Sequence, residues 1–296
     1  MTTVAIIGPG AIGGTLAAWL AQDPALNITL CARTPLDDLQ VETPSGVLTA
    51  KPVVLTDPAT ARTFDWVLVA TKTYDVEAIR PWLERLVGER TRVAIVQNGV
   101  EHVRLFQHLV HAERLVPVMI NLPAVRHAPG RIVQSRDGFI VVPAGRNGED
   151  LVALFDRTDI KASADADFLS QVWIKLCGNC AAIVPTLTLR TTGPVWSEEL
   201  EVIVRGLVEE CAAVGRAEGA DIPSSVIDST IATMRTMEAG AVAGSIHADR
   251  LAGQPMEIDA RNGVIVRLGA THGIATPMNR VLVTLLEASG SPWVTC

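Results

Sequence analysis

The sequence predicts an α/β fold with a largely parallel sheet, followed by a second, all-helical domain. Three observations predict it. Through the first half, short apolar runs alternate with amphipathic stretches, which is the rhythm of β-α-β units. From about Asp167 onward the strands give way to long segments with apolar residues every three to four positions. The length, 296 residues, is also more than one hydrophobic core usually fills, so two domains are expected.

The expected strands lie at 4–7, 28–31, 66–70, 93–96 and 115–120, with helices between them at 12–21, 76–87 and 101–109. The stretches 47–55 and 131–142 alternate more and carry glycine and proline, so antiparallel strands or hairpins are expected there. In the second half, helices are expected at 169–184, 197–218, 224–238 and 258–271. Thr276 as N-cap and Pro277 at the first helical position start another, over 278–288. The character changes at Ala162-Ser-Ala-Asp-Ala-Asp167, which divides the chain into residues 1–166 and 167–296.

Apolar residues make up 48% and charged residues 19%, the composition of a packed globular protein. No run approaches the roughly 18 uninterrupted apolar residues of a membrane helix, and Thr2 and Thr3 lead straight into Val4-Ala-Ile-Ile7 without a basic region. A cytoplasmic location is the expectation, and five cysteines, an odd number in a long chain, fit a reducing compartment. A net charge of −7 with no run of Lys or Arg argues against nucleic acid as partner. An anionic ligand would have to be held by local features, such as a helix N-terminus or a single cation.

Gly8-Pro9-Gly10-Ala11-Ile12-Gly13 supplies such a feature, a G-x-G-x-x-G turn directly after a strand and at the opening of a helix. The first glycine permits the tight turn, the second lets backbone approach a pyrophosphate, and the third lets helix pack on strand. The pattern alone is weak, but in this position it reads as a dinucleotide site in a Rossmann-type domain. An NAD-specific site would place an acid near the end of the second strand for the ribose 2′-hydroxyl. Cys31-Ala-Arg33 offers Arg33 instead, and its planar, permanently charged fork suits a 2′-phosphate, so NADPH is the expected cofactor. Ligands of open α/β sheets sit beyond the carboxyl ends of strands, where Lys72 and Asn98-Gly99 are found. The lysine can hold an anion, and the asparagine can bond a ribose or a substrate while the chain turns.

In the helical half, Trp173-Ile-Lys175-Leu-Cys-Gly-Asn179 sets Lys175 and Asn179 four residues apart on one face of a nearly apolar helix. A buried lysine is costly unless paired or working. Pro255-Met-Glu257-Ile-Asp259 supplies a candidate partner, with Asn262-Gly263 just after, and Ser245 and Asp249 share a second helical face.

Taken together these motifs resemble the ketopantoate reductase (2-dehydropantoate 2-reductase) family across nearly the whole chain. The glycine turn, Arg33, Thr71-Lys72, Asn98-Gly99, the W-x-K-L-x-x-N segment and the E-I-D-x-x-N-G segment stand in the family's order. The resemblance implies an NADPH-dependent reduction of a 2-oxo acid, with ketopantoate as substrate and pantothenate biosynthesis as setting. It implies a C-terminal domain like that of 6-phosphogluconate dehydrogenase. Lys175 is then the general acid, and Glu257 positions substrate and cofactor. The cofactor would touch Gly8 to Gly13, Arg33, Lys72, Asn98 and Glu257, and the substrate Asn98, Lys175, Asn179 and Ser245. Hydride delivered to the C2 carbonyl builds negative charge on oxygen, which a lysine ammonium can stabilise and protonate. Glu257 nearby would favour the charged form of that lysine.

One position departs from the family. A second asparagine usually stands one helical turn past the first, and here that position is Ile183. Either Thr186 or Thr188 takes over its contact, or the pocket favours a less polar 2-oxo acid. Ketopantoate is therefore weighed against another branched 2-oxo acid, reduced by a D-2-hydroxyacid dehydrogenase of the same family. A regulator that binds NADPH without turnover is the remote third reading. Cys177 and Cys180 match C-x-x-C but lack a second ligand pair, His102, His108 and His111 read as packed or solvated, and no metal is expected. Trp19, Trp66 and Trp82 read as packing. The only partner expected is a small 2-oxo acid, with no nucleic acid and no membrane, and homodimer formation stays open.

Overall fold

The computed structural model describes residues 1–189, 196–236 and 244–289. The chain divides into two compact units, Met1–Phe168 and Leu169–Cys296.

The first unit runs β1 (Thr2–Ile7), α1 (Ala11–Leu20), β2 (Leu26–Cys31), β3 (Leu39–Thr43), β4 (Gly46–Ala50), β5 (Val53–Leu55), β6 (Trp66–Val69), α2 (Arg80–Leu86), β7 (Arg92–Ile95), α3 (His102–Phe106), β8 (Leu115–Pro117), β9 (Met119–Asn121), β10 (Ala124–Ala128), β11 (Arg131–Gln134), β12 (Phe139–Pro143), α4 (Arg146–Val152) and β13 (Lys161–Asp165). Its main sheet is parallel throughout, in the order β5-β2-β1-β6-β7-β8. Side chains of a strand alternate between faces, and in β1 Val4 and Ile6 join one core while Ala5 and Ile7 join another. The first core takes Leu16, Trp19 and Leu20 of α1. The second takes Leu83 and Leu86 of α2 and Phe106 of α3. Burial on both faces is why these strands read as continuous apolar runs rather than alternating ones.

Two smaller sheets follow the orders β10-β11-β3-β4 and β13-β12-β9. The antiparallel expectation holds for β4 with β3, β11 with β10 and β12 with β9. It fails for β5, which pairs parallel with β2 at the edge of the main sheet. Strands β11 and β12 also do not form a hairpin with each other, since β11 pairs with β3 and β12 with β13 in parallel. Alternation marks a half-buried strand but carries no information about its partner. The apolar run 115–120 changes sheets in the middle: β8 pairs with β7, and β9 with β12. Helices α2 and α3 are shorter than the periodicity suggests. A 3₁₀ turn occupies Thr73–Asp75, and Pro81 sits in the first turn of α2, a position where its missing N–H is harmless.

The second unit comprises α5 (Phe168–Cys180), α6 (Ile183–Thr188), α7 (Glu198–Ala217), α8 (Ser225–Arg235), α9 (Ser245–Leu251), a π-helical turn at Asp259–Gly263, α10 (Val264–Thr271) and α11 (Pro277–Ala288). The helix expected over 224–238 ends at Arg235, and Met237 and Glu238 lie outside the described residues. The single helix expected over 169–184 is broken between Cys180 and Ile183. The break frees the Cys180 carbonyl, which accepts a hydrogen bond from Asn262 Nδ2 at 3.0 Å. The same amide nitrogen donates to Asn279 Oδ1 at 2.8 Å, so one asparagine ties α5 to the π-helical turn and to α11. Residues 168–188 are long and apolar enough, by length and composition, to cross a membrane, and 61% of their apolar 18-residue window is buried within the protein. Trp173 accounts for part of this: it is 1% exposed and lies so close to Gly215 of α7 that a Cβ there would meet its ring at 2.9 Å. At the start of α11, Thr276 makes no side-chain cap. Glu210 of α7 does that job, accepting from the backbone N–H groups of Met278 (2.7 Å) and Asn279 (2.9 Å) and from Asn279 Nδ2 (2.7 Å). A carboxylate there also complements the helix dipole.

Candidate active site

The glycine turn links β1 to α1. Gly8 has φ +86°, a conformation costly to any residue with a side chain, and a Cβ there would meet Thr71 Cγ2 at 2.8 Å. At Gly13 a Cβ would lie 2.3 Å from the Gly8 carbonyl oxygen and 3.0 Å from Ala70 Cβ, so helix and strand can approach only because it is glycine. At Gly10 a Cβ would meet nothing within 4 Å. Gly10 caps α1, and helix geometry leaves the first-turn N–H groups without intrahelical acceptors. Open space in front of such donors, with no acid in the first turn of α1, fits a pyrophosphate.

Beyond the carboxyl ends of the strands the structure gathers the predicted residues of this unit. Arg33 lies exposed two positions past the end of β2. Asp38, further along, pairs instead with Arg131 Nη1 at 2.7 Å. Lys72 follows β6 and Asn98 follows β7, and Gln97 sits between them. The Gln97 Nε2 donates to Thr71 Oγ1 and to the Lys72 carbonyl, both at 3.2 Å, which locks the two strand ends together. His102 Nε2 meets the Gln97 carbonyl at 3.0 Å. The buried Gln97 Oε1 has no partner among the described residues, an acceptor suited to a ribose hydroxyl or amide donor. The sequence does not single out Gln97, because the Asn98-Gly99 turn beside it carries the stronger local signal.

In the helical unit the cluster forms around Lys175 of α5. The charges of Arg261 and Glu257 both act on it. Its pKa is lowered to about 8, chiefly because burial strips water from the ammonium, then because Arg261 repels it, while Glu257 pulls the other way. Glu257 therefore does not keep this lysine at its ordinary value; loss of hydration outweighs the pairing. Glu257 and Arg261 are each 4% exposed. Arg261 has its own pKa lowered, first by burial, against the opposing pull of Glu257 and Asp249. Its Nη2 donates to Ser245 Oγ at 2.9 Å, which places Ser245 at the same cluster. Asn179 lies one turn past Lys175, partly buried.

Ile183 opens α6 and is fully buried. Neither threonine after it replaces an asparagine there. Thr186 Oγ1 donates to the Ala182 carbonyl at 2.6 Å and Thr188 Oγ1 to the Val184 carbonyl at 3.1 Å, so both hydroxyl protons are spent on their own helix. Cys177, Cys180 and Cys211 are buried free thiols, with Cys177 and Cys211 sulfurs 3.6 Å apart. Burial raises the Cys211 pKa well above the ordinary thiol value, which makes it an inert packing group.

An amine with a lowered pKa, near a buried carboxylate, in a chain with a G-x-G-x-x-G turn, has the chemistry that carbonyl reduction needs. Comparison with known proteins agrees. Residues 4–147 match the family model described as ketopantoate reductase PanE/ApbA, and residues 167–289 match that of its C-terminal region. A 2-dehydropantoate 2-reductase of Caulobacter vibrioides is 53% identical over 289 residues, covering 98% of this chain and 99% of that protein. One from Mycobacterium tuberculosis is 34% identical, covering 97% and 98%. The crystal structure of a PanE/ApbA family ketopantoate reductase from Ralstonia eutropha superposes with a TM-score of 0.85 at 29% identity, covering 97% of each chain.

Proposed function

This chain belongs to the ketopantoate reductase family, and from that premise we propose that it reduces 2-dehydropantoate to pantoate with NADPH, in pantothenate biosynthesis. The observation that carries the reading is Lys175, an amine with its pKa at about 8, set against the buried Glu257. Such a group is charged at neutral pH yet gives up its proton far more readily than an ordinary lysine.

Residues 1–166 are the dinucleotide-binding part in this reading and residues 167–296 the catalytic part. Gly8 to Gly13 receive the pyrophosphate, Arg33 the 2′-phosphate, and Lys72 and Asn98 further parts of the cofactor. When bound, the reduced nicotinamide supplies the hydride that the substrate's C2 accepts. Lys175 meets the oxyanion that develops on the carbonyl oxygen and transfers its Nζ proton to it, leaving the alcohol. Glu257 orients the ammonium, and Asn98, Asn179 and Ser245 hold the substrate.

A second reading has a specific observation behind it. With Ile183 fully buried and the Thr186 and Thr188 hydroxyls engaged, the family's second amide is not restored by its neighbours, which favours a less polar branched 2-oxo acid. One experiment tests both: initial rates with NADPH and NADH across a panel of 2-oxo acids. The proposal expects 2-dehydropantoate with NADPH to rank first by kcat/KM. A branched acid without the hydroxyl ranking first would support the second reading, and a preference for NADH would remove the role given to Arg33.

A further inference from the structure

Arg261 is the least expected residue of the helical cluster. The residue is 4% exposed, an environment in which an arginine is normally fully hydrogen-bonded. Its Nη2 donates to Ser245 Oγ at 2.9 Å. The Nε–H is buried and has no partner among the described residues. A buried donor left unsatisfied on a charged group costs stability, and it persists where a ligand completes it.

Its position has a structural cause. Arg261 sits on the π-helical turn Asp259–Gly263, where the Gly263 N–H reaches back five residues to the Ile258 carbonyl at 3.0 Å. The extra residue of a π turn redirects side chains relative to an α-helix, and such turns concentrate at functional sites. The guanidinium thus comes close enough to Lys175 for the two cations to repel. Glu257 acts on both cations and Asp249 on Arg261.

We propose, resting on the reading of this chain as a 2-oxo acid reductase, that Arg261 seats the substrate's carboxylate together with Ser245. A 2-oxo acid brings two centres of negative charge, a permanent one on the carboxylate and a transient one on the carbonyl oxygen. The site holds two cations of matching character. Arginine keeps its charge at any working pH and presents a planar fork that fits a carboxylate, but it cannot serve as a proton donor. Lysine at Lys175 can. Ser245 Oγ accepts from Arg261, so its own O–H proton remains available to the same carboxylate. The Arg261 Nε–H is the other donor.

The test is kinetics on the full chain with NADPH, using 2-dehydropantoate and its carboxamide. Arg261→Gln is expected to raise KM for the acid about 10²-fold, to lower kcat much less, and to shrink the acid-over-amide preference by a similar factor. NADPH affinity, followed by nicotinamide fluorescence, stays unchanged. Arg261→Lys keeps the charge without the fork and recovers part of the preference; it is also the readout if Arg261→Gln does not fold. A variant with wild-type KM and wild-type acid-over-amide preference overturns the proposal. Calorimetric titration of pantoate into the NADP-loaded protein separates two kinds of failure. Absence of turnover in the unmutated protein sinks the functional reading, whereas pantoate affinity that survives Arg261→Gln sinks the carboxylate seat.

Discussion

In its proposed role as proton donor, Lys175, with its pKa lowered to about 8, ties catalysis to pH in one direction. Lys175 must be protonated to donate, so kcat/KM is expected to be level below that value and to fall tenfold per unit above it, as the ammonium is lost. A fall beginning only near the ordinary lysine value would show that burial does not act on the amine as argued. Lys175→Ala is expected to lower kcat on the order of 10²–10⁴-fold with NADPH affinity intact, checked by single-turnover rates and fluorescence titration. Arg33→Ser is expected to raise KM for NADPH on the order of 10-fold or more and to leave that for NADH unchanged, since in the proposed role the guanidinium serves a phosphate that NADH lacks. The residues behind these expectations are legible because each breaks a local rule: a lysine in an apolar helix, an arginine where an acid is usual. Arg261 is not legible. Between Asp259 and Asn262 it looks like one more polar surface position, and its burial comes from a backbone turn that no side-chain pattern announces.

At the scale of elements, the π-helical turn and the break between α5 and α6 are held by the same residue. Asn262 donates to the Cys180 carbonyl and to Asn279, and all of these groups are buried. Asn262→Ala takes the donor from the Cys180 carbonyl and from Asn279 Oδ1 and is expected to cost about 2–3 kcal/mol, read from urea unfolding. If the clamp also sets the cluster, kcat falls with it, and a variant that unfolds earlier at full kcat would confine Asn262 to stability. Gly13→Ala acts on the other unit: its methyl would lie 2.3 Å from the Gly8 carbonyl oxygen, so NADPH affinity is expected to drop while secondary structure by circular dichroism stays. The long elements are readable from periodicity because their apolar positions repeat many times. The broken helix after Cys180 is not, because Ala181 and Ala182 are good helix formers and the carbonyl at the break is bonded by a residue 82 positions away. Nor can the parallel pairing of β5 with β2 be read from three residues, Val53–Leu55, since so short a run fits either orientation.

For the whole molecule, two compact units with separate assignments make a prediction that neither assignment makes alone. A ligand that binds only the folded chain stabilises it by about 2.7 kcal/mol at 100 times its Kd, so saturating NADPH is expected to raise Tm by several degrees in a thermal melt. Apart from Glu257, the cofactor roles fall to Gly8 to Gly13, Arg33, Lys72 and Asn98, within Met1–Phe168, and proton donation to Lys175, within Leu169–Cys296. The two kinds of variant should therefore separate cleanly. Lys175→Ala is expected to keep the full NADPH-dependent rise although turnover is lost. Arg33→Ser is expected to lose most of that rise while retaining kcat once NADPH is supplied at concentrations that restore occupancy. Should Lys175→Ala abolish the rise, the amine would be holding the dinucleotide rather than donating a proton, and the general-acid role would pass to another group. Should Arg33→Ser leave it untouched, the discrimination between NADPH and NADH would have to be sought at Lys72, the other cation placed beyond a strand end of the same unit.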